Sequence, residues 1–552
     1  MLEKLKLRRK PKDNQISLSL RIDNFFSKPK YRKLLDAVTL LFFFLVIIGP
    51  IINIFSTIIL NIPSINQNIF NDPLIGSLKW DRILEALQTS FLIATIAVFF
   101  DLIIAFPIAI ILTRYKFRGK KFLDALVDLP MAVPTSTLGF SLMLFWGLFG
   151  ITPGFELLIL GHIIFTFPYI VRNMKIVLEK TDTLYEDAAR TLGASGITVF
   201  RTITLPMMKE GIIAGAILAF TRSLGETGAS LIISGLVETA PILIVGFRRQ
   251  LELPSASLVA AILILVSLIL LFSIKYFTRK VGFPVKKVWP KGEKKLSHKS
   301  LRYMRDLLSI TILVVMMIIP AFYVITQLVG TDFIGELTEA DQKWAFLYKS
   351  LVYSIQIGAL AVCINIMFGI PFAYIITRRK WGKIITVLDT LLDIPIAIPS
   401  AALGFAMFLF WGPAGLGVLT PGFLMILFVH VCFTFPYMVR PIIGVLESSN
   451  RGVEEAASTL GASDLTVFRR ITLPNIKQGI IAGSIMVFTR SLGETGATIV
   501  VMGSVRTVPV LIVDWVEATA WSSAVFASII VIIFGALLIF ALRTVRKRGD
   551  SS

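Results

Sequence analysis

Arg222 and Glu226 stand four residues apart within an otherwise apolar stretch, in the run Thr221-Arg-Ser-Leu-Gly-Glu-Thr-Gly-Ala229. The same nine residues return at Thr489–Ala497, with Arg490 and Glu494 in the charged places. Four residues is one helical turn, so each pair is predicted to share a helix face. A lone charge at mid-bilayer costs about 2.5–3.5 kcal/mol on insertion scales, so these side chains must face a cavity or each other. Two chemistries fit. The arginines could flank a path and attract an anion, with Gly225, Gly228, Gly493 and Gly496 allowing close backbone approach. Alternatively, the pairs are intrahelical ties that lock a bundle.

A second constellation is polar and also duplicated. Asp187-Ala188-Ala189-Arg-Thr-Leu-Gly193 is followed ten residues later by Ile-Thr-Leu-Pro206, and its twin is Glu455-Ala456-Ala457-Ser-Thr-Leu-Gly461 followed by Ile-Thr-Leu-Pro474. An acid at a helix start complements the helix dipole, paired alanines let another surface come close, and glycine permits a sharp turn. The pattern predicts a short helix lying under a membrane and offered to a partner.

Enzyme chemistry has no foothold, and no catalytic residue is assigned. There is no His-Glu-x-x-His, no Gly-x-Ser-x-Gly and no Gly-x-x-x-x-Gly-Lys-Ser/Thr phosphate loop, and the chain has three histidines. His162 and His430, at equivalent places, lack further ligands for a metal site. Cys363 and Cys432 both lie in apolar runs and read as small buried residues. Asp101 is predicted to point into the bundle toward a partner, and Asp128 and Asp393 to act as interfacial anchors.

These residues sit in 552 positions of which 55% are hydrophobic and 16% charged, against about 25% charged in a soluble protein. The net charge of +20 does not indicate nucleic acid, because the basic residues cluster beside the ends of apolar segments. With about 20 residues per span, hydropathy predicts twelve helices, centred near Phe44, Ala97, Leu138, Ile164, Leu218, Leu265, Val315, Ile364, Met407, Phe428, Val487 and Ile532. The fold class is therefore all-α and polytopic. The first segment is too long for a cleaved signal peptide and is expected to stay as a span.

Basic clusters at Arg8–Lys10, Arg114–Lys121 and Arg378–Lys380 set the orientation by the positive-inside rule. Lys275–Arg305 carries eleven Lys or Arg and one acid, Glu293, whereas Gly330–Asp341 is acidic. Both termini and the linker are thus expected in the cytoplasm, the linker largely unstructured. The expected division is a basic tail over 1–33, a first half over 34–275, a linker over 276–306, a second half over 307–545 and a C-terminal tail over 546–552.

The halves are copies. Asp187–Ser230 aligns without a gap on Glu455–Thr498 with 32 of 44 positions identical, and Leu-Pro-Met-Ala-Val-Pro134 mirrors Ile-Pro-Ile-Ala-Ile-Pro399. Six spans per half make the repeats parallel, related by a pseudo-twofold axis along the membrane normal, along which a substrate path would run. The third helix of each half, with its proline pair and Gly139 or Gly404, is expected to bend, either to line a cavity or for packing alone.

The duplicated polar segment resembles the EAA loop of ABC importer permeases of the type I fold: Glu-Ala-Ala, a glycine six residues after the Glu, and an Ile-x-Leu-Pro end. The second copy matches in full, while the first has Asp187 where the family has Glu. In that family the loop couples a separate ATPase to the membrane helices. The resemblance implies this role for Asp187, Ala188, Ala189, Gly193 and Pro206, and for Glu455, Ala456, Ala457, Gly461 and Pro474. It further implies two ABC ATPase subunits that carry ATP and Mg, no cofactor on this chain, an extracytoplasmic substrate-binding protein, and a place in the cell membrane.

The run Arg-Ser-Leu-Gly-Glu-Thr-Gly-Ala is similar to the corresponding stretch of sulfate, molybdate and tungstate permeases, and its Gly-Glu-Thr resembles phosphate permeases. Phe-Pro-Tyr-x-Val-Arg, ending at Arg172 and Arg440, fits the same group. An inorganic oxyanion is the expected substrate. Fusion of two halves in one chain is more typical of ferric-iron and thiamine permeases, which stay open as an alternative. An ion-coupled carrier or channel would need no docking loop.

Overall fold

The computed structural model describes residues 29–280, 290–329, 335 and 343–549. The first basic cluster, most of the acidic segment and part of the linker lie outside them. In chain order the helices are α1 (Lys30–Leu60), α2 (Leu78–Arg114), α3 (Lys120–Ala132), α4 (Thr135–Gly147), α5 (Phe155–Lys180), α6 (Leu184–Thr191) and α7 (Gly196–Leu224). The half closes with α8 (Gly228–Ile233), α9 (Ala240–Arg249) and α10 (Leu253–Lys280). After α11 (Pro290–Leu296), the order repeats as α12 (Lys299–Leu328), α13 (Lys343–Arg378), α14 (Lys383–Ala397), α15 (Ser400–Trp411), α16 (Phe423–Ser448), α17 (Arg451–Thr459) and α18 (Asp464–Leu492). It ends in α19 (Gly496–Val501), α20 (Val508–Glu517) and α21 (Trp521–Gly549).

Among the described residues, nine helices are long and apolar enough to span, eleven if each bent pair is one span, and Trp521–Leu537 is a shorter apolar helix. Each predicted centre falls on one of these. The bends are 101° between α3 and α4 and 109° between α14 and α15. They fall at Pro134 and Pro399, whose extended backbone (ψ 139° and 133°) cannot continue a helix. Beyond each bend a glycine admits close packing. A Cβ on Gly139 would lie 2.7 Å from Ala229 Cα, and one on Gly404 2.6 Å from the Ala497 carbonyl oxygen.

The first helix of each half packs on the opposite half. In α1, Phe42 stacks on Phe368 with ring centroids 3.8 Å apart, and Asp36 pairs with Arg379 at 2.9 Å. In α12, the groups around Pro320 turn to the first half: Ser141 Oγ donates to the Pro320 carbonyl (2.7 Å) and accepts from Val324 N (2.9 Å). One hydroxyl thus satisfies a carbonyl and an amide that part where the regular helix gives way to a tighter one after Phe322.

Two expectations need correction. The linker is not largely unstructured where it is described. Its single acid, Glu293, lies in α11 and accepts from Thr198 Oγ1 (2.6 Å) and Arg201 Nε (2.9 Å), while Ser297 Oγ accepts from Ile197 N (2.9 Å). These contacts hold the segment despite its charge density. Cys432 is buried, but Cys363 is exposed, because its face of α13 points away from the bundle.

Candidate translocation axis and docking segments

The two polar segments fold alike. Helices α6 and α17 each end in a left-handed glycine, Gly193 (φ 83°) and Gly461 (φ 85°), where an added Cβ would meet nothing within 4 Å. Glycine is needed there for its dihedral rather than for space. Asp187, Ala188, Glu455 and Ala456 are exposed, and Ala189 and Ala457 half-buried. Leu192 and Leu460 are each 89% exposed, an apolar surface that has no cover among the described residues. Pro206 and Pro474 follow wide π-type turns, Phe200–Thr204 and Phe468–Thr472, which accommodate the missing N–H at the start of the regular helix.

Sequence reasoning missed what anchors these segments. The residue before each family acid points inward. Glu186 accepts from Arg114 Nη2 (3.0 Å) and Thr204 Oγ1 (3.1 Å), and Glu454 from Arg378 Nε (2.9 Å) and Thr472 Oγ1 (3.1 Å). Each arginine also donates to the last turn of the fourth span, at Leu178 O or Leu446 O. The outer acids, Asp187 and Glu455, instead pair with Arg190 and Arg451 on their own helices. The available signal was that both repeats carry Glu at the first position and Arg at the end of the second span.

The predicted path residues also converge, with one correction. Helices α7 and α18 stop at Leu224 and Leu492, so each Glu lies beyond the helix and shares no helical face with its Arg. Each Glu caps the next short helix instead: Glu226 Oε1 accepts from Ala229 N (3.1 Å) and Glu494 Oε1 from Ala497 N (3.0 Å). The turn still brings Glu226 Oε2 2.5 Å from Arg222 Nη2, as an ionic contact without hydrogen-bond alignment. Arg490 has no carboxylate partner among the described residues. Its guanidinium lies 5.6 Å over the Tyr437 ring and its Nε has no acceptor.

Both arginines line a cavity of about 60 Å³, together with Tyr169, Tyr437, Thr221 and Glu494. Its walls come from both halves, and the glycines bring them together. A Cβ on Gly225 would lie 2.9 Å from Pro399 Cα; one on Gly228 would meet Thr495, and one on Gly496 would meet Thr227. These reciprocal contacts between equivalent residues place the pseudo-twofold axis between α8 and α19.

The remaining polar residues are committed to structure. Arg172 forms a fork on Asp128 (2.6 and 2.5 Å) and reaches Asp124 (2.6 Å), and Arg440 repeats this on Asp393 (2.8 and 2.6 Å) and Asp389 (2.6 Å). The anchoring expected of Asp128 and Asp393 is thus a brace between the bent third span and the fourth. His162 bridges Ser223 and Ser230, and His430 bridges Ser491 and Thr498. Asp101 finds Thr166 at 2.5 Å, where the second half has Asn365 with Thr434.

Comparison with known proteins agrees with this architecture. The family model described as "Binding-protein-dependent transport system inner membrane component" matches twice, at residues 102–283 and 365–548. The sulfate transport system permease protein CysT of Salmonella typhimurium is 35% identical over 224 residues, 37% of this chain and 81% of its own length. The molybdate/tungstate permease WtpB of Methanocaldococcus jannaschii is 32% identical over 36% of this chain and 84% of its own. For the Escherichia coli molybdenum permease ModB the values are 39%, 28% and 71%. Two matched copies, one in each half of a helical bundle, show that the chain belongs to the binding-protein-dependent transport system inner membrane components, as two permease halves fused in one polypeptide.

Proposed function

We propose that this chain is the membrane permease of an ATP-driven importer for an inorganic oxyanion of the sulfate, molybdate, tungstate or phosphate type. The observation that carries the reading is the pair of exposed docking segments, alike in geometry and anchored by Glu186 and Glu454 to the helices that surround the axis. Each offers uncovered apolar surface to one ATPase subunit, which would hold ATP and Mg. The anchoring arginines turn a push on either segment into displacement of the second and fourth spans. An extracytoplasmic binding protein would deliver substrate at the opposite end, with both termini in the cytoplasm.

The axis suits an anion. Two guanidinium groups face one small cavity, and the carboxylates beside them are partly spent on capping α8 and α19. A site of low dielectric strengthens the attraction of the unpaired Arg490 for a tetrahedral anion. The printed substrates of the relatives favour the same class. Ferric iron and thiamine are the alternatives, and a cation would meet two guanidinium groups against the one carboxylate, Glu494, in the lining of this cavity.

The test is co-purification of the ATPase subunits, then uptake into vesicles supplied with the binding protein. We expect ATP-dependent uptake of labelled sulfate or molybdate and none of ferric iron or thiamine. Uptake without ATP would point to a carrier or channel, and uptake of iron or thiamine alone would overturn the substrate class.

A further inference from the structure

Helices α2, α7 and α12 leave between them a cavity of about 450 Å³, separate from the axis and lined by Ile103, Pro107, Phe200, Leu205, Leu308 and Ile312. One charged side chain, that of Arg305, joins this apolar lining. Arg302 lies about one turn earlier on α12, exposed, on the side that Arg305 marks. Arg305 contacts Asp306 at 2.5 Å. Two cations therefore stand against one carboxylate at the entrance of an apolar crevice, where a spanning helix meets the basic linker.

The equivalent place between α1 and α13 is built differently. There the equivalent of Asp306 is Asp36, which pairs across the helices with Arg379 at 2.9 Å. Beside α2, Tyr115 replaces that arginine and lies next to Asp306, while a cation stands at Arg305, where α1 has Leu35. The ion pair that bridges one crevice is missing from the other, and its positive charge now lines the opening.

We propose that this crevice is a binding site for one anionic phospholipid, with an acyl chain along the apolar lining and the phosphate on Arg305 and Arg302. An apolar cavity between spanning helices is open to hydrocarbon, and guanidinium groups at its edge match a headgroup phosphate in charge and geometry. Apolar lining alone would accept any lipid, and the cations select the anionic ones. Because the crevice lies between α12 and the opening turns of α7, the bound lipid touches the helix that the first docking segment leads into.

Native mass spectrometry of the full chain, purified in mild detergent and offered equal phosphatidylglycerol and phosphatidylcholine, tests this directly. The wild type is expected to retain one phosphatidylglycerol in preference to phosphatidylcholine. Arg302→Gln with Arg305→Gln should lower that occupancy at least fivefold. Arg305→Leu is the sharper variant. It removes one headgroup cation, keeps the lining apolar and installs the residue that α1 carries at the equivalent position, Leu35, so the preference for phosphatidylglycerol should fall. Leucine is thus compatible with the repeat's fold at this place, which keeps the test informative if the double glutamine variant fails to assemble. Undiminished preference in Arg305→Leu, or no preference for phosphatidylglycerol in the wild type, would overturn the proposal.

Discussion

Arg249 and Glu517 occupy equivalent positions in the two halves and meet each other, with Nη1 3.3 Å from Oε1. The contact crosses the pseudo-twofold axis. It lies at the end of the bundle away from the docking segments, since α10 runs from there back to the linker that touches Thr198. Beside it, Arg248 lies 3.9 Å over the Phe408 ring of the other half. Together they clasp the axis at the end where the binding protein would deliver substrate.

That clasp is half-exposed, so its worth is about 0.2–1 kcal/mol, enough to shift an open-closed balance up to about fivefold. Arg249→Glu should raise basal ATP hydrolysis by a few fold, and Arg249→Glu with Glu517→Arg should restore it. A double variant as deregulated as the single one would rule out the pairing.

Proline at both Gly193 and Gly461 is incompatible with their positive φ and should distort the turns that end α6 and α17. Substrate-stimulated ATP hydrolysis should be lost while circular dichroism of the bundle is unchanged. Normal coupled transport in the double variant would remove the docking assignment.

Glu186→Leu strands the buried Arg114 guanidinium, and buried pairs broken on one side cost about 3–5 kcal/mol. The cost should appear locally, as faster hydrogen exchange over residues 184–193, with Glu454→Leu acting likewise on 451–461. Glutamine keeps an acceptor and should do less. Exchange rates equal to wild type would show that the anchors are dispensable.

Neutralising Arg222, Glu226, Arg490 and Glu494 together as glutamine leaves no orphaned charge. The complex and its basal ATP hydrolysis should persist, and oxyanion uptake should fall at least tenfold. Uptake at the original rate would reduce these residues to braces and caps.

Glu293 is held below the usual glutamate range, first by the hydrogen bond from Thr198 and then by the charge of Arg201, against some desolvation. A depressed carboxylate stabilises docking above its undocked pKa and loses that contribution as pH falls through the docked value. A spin label near Lys294 should therefore gain mobility only below the ordinary glutamate range, and Glu293→Gln should be mobile throughout. In intact cells, a cysteine there should resist impermeant reagents, and labelling from outside would contradict the cytoplasmic placement.

Amino-acid order by itself determined the elements and their duplication. A bilayer leaves backbone polar groups one local solution, the helix, so apolar length alone marks each span. Gapless identity from Asp187 to Ser230 marks the repeat, and Gly193 and Gly461 mark turns that only their dihedrals permit. What tertiary structure decided concerns partners far apart in the chain. Glu186 meets Arg114 across 72 positions and Asp36 meets Arg379 across 343; no periodicity encodes such distances. The equal Arg-x-x-x-Glu runs read alike, yet Arg222 is paired and Arg490 has no carboxylate partner among the described residues, a difference that identical local sequence cannot encode. Likewise Glu293 looked like a solitary acid in a solvated basic stretch until the fold placed Thr198 and Arg201 beside it.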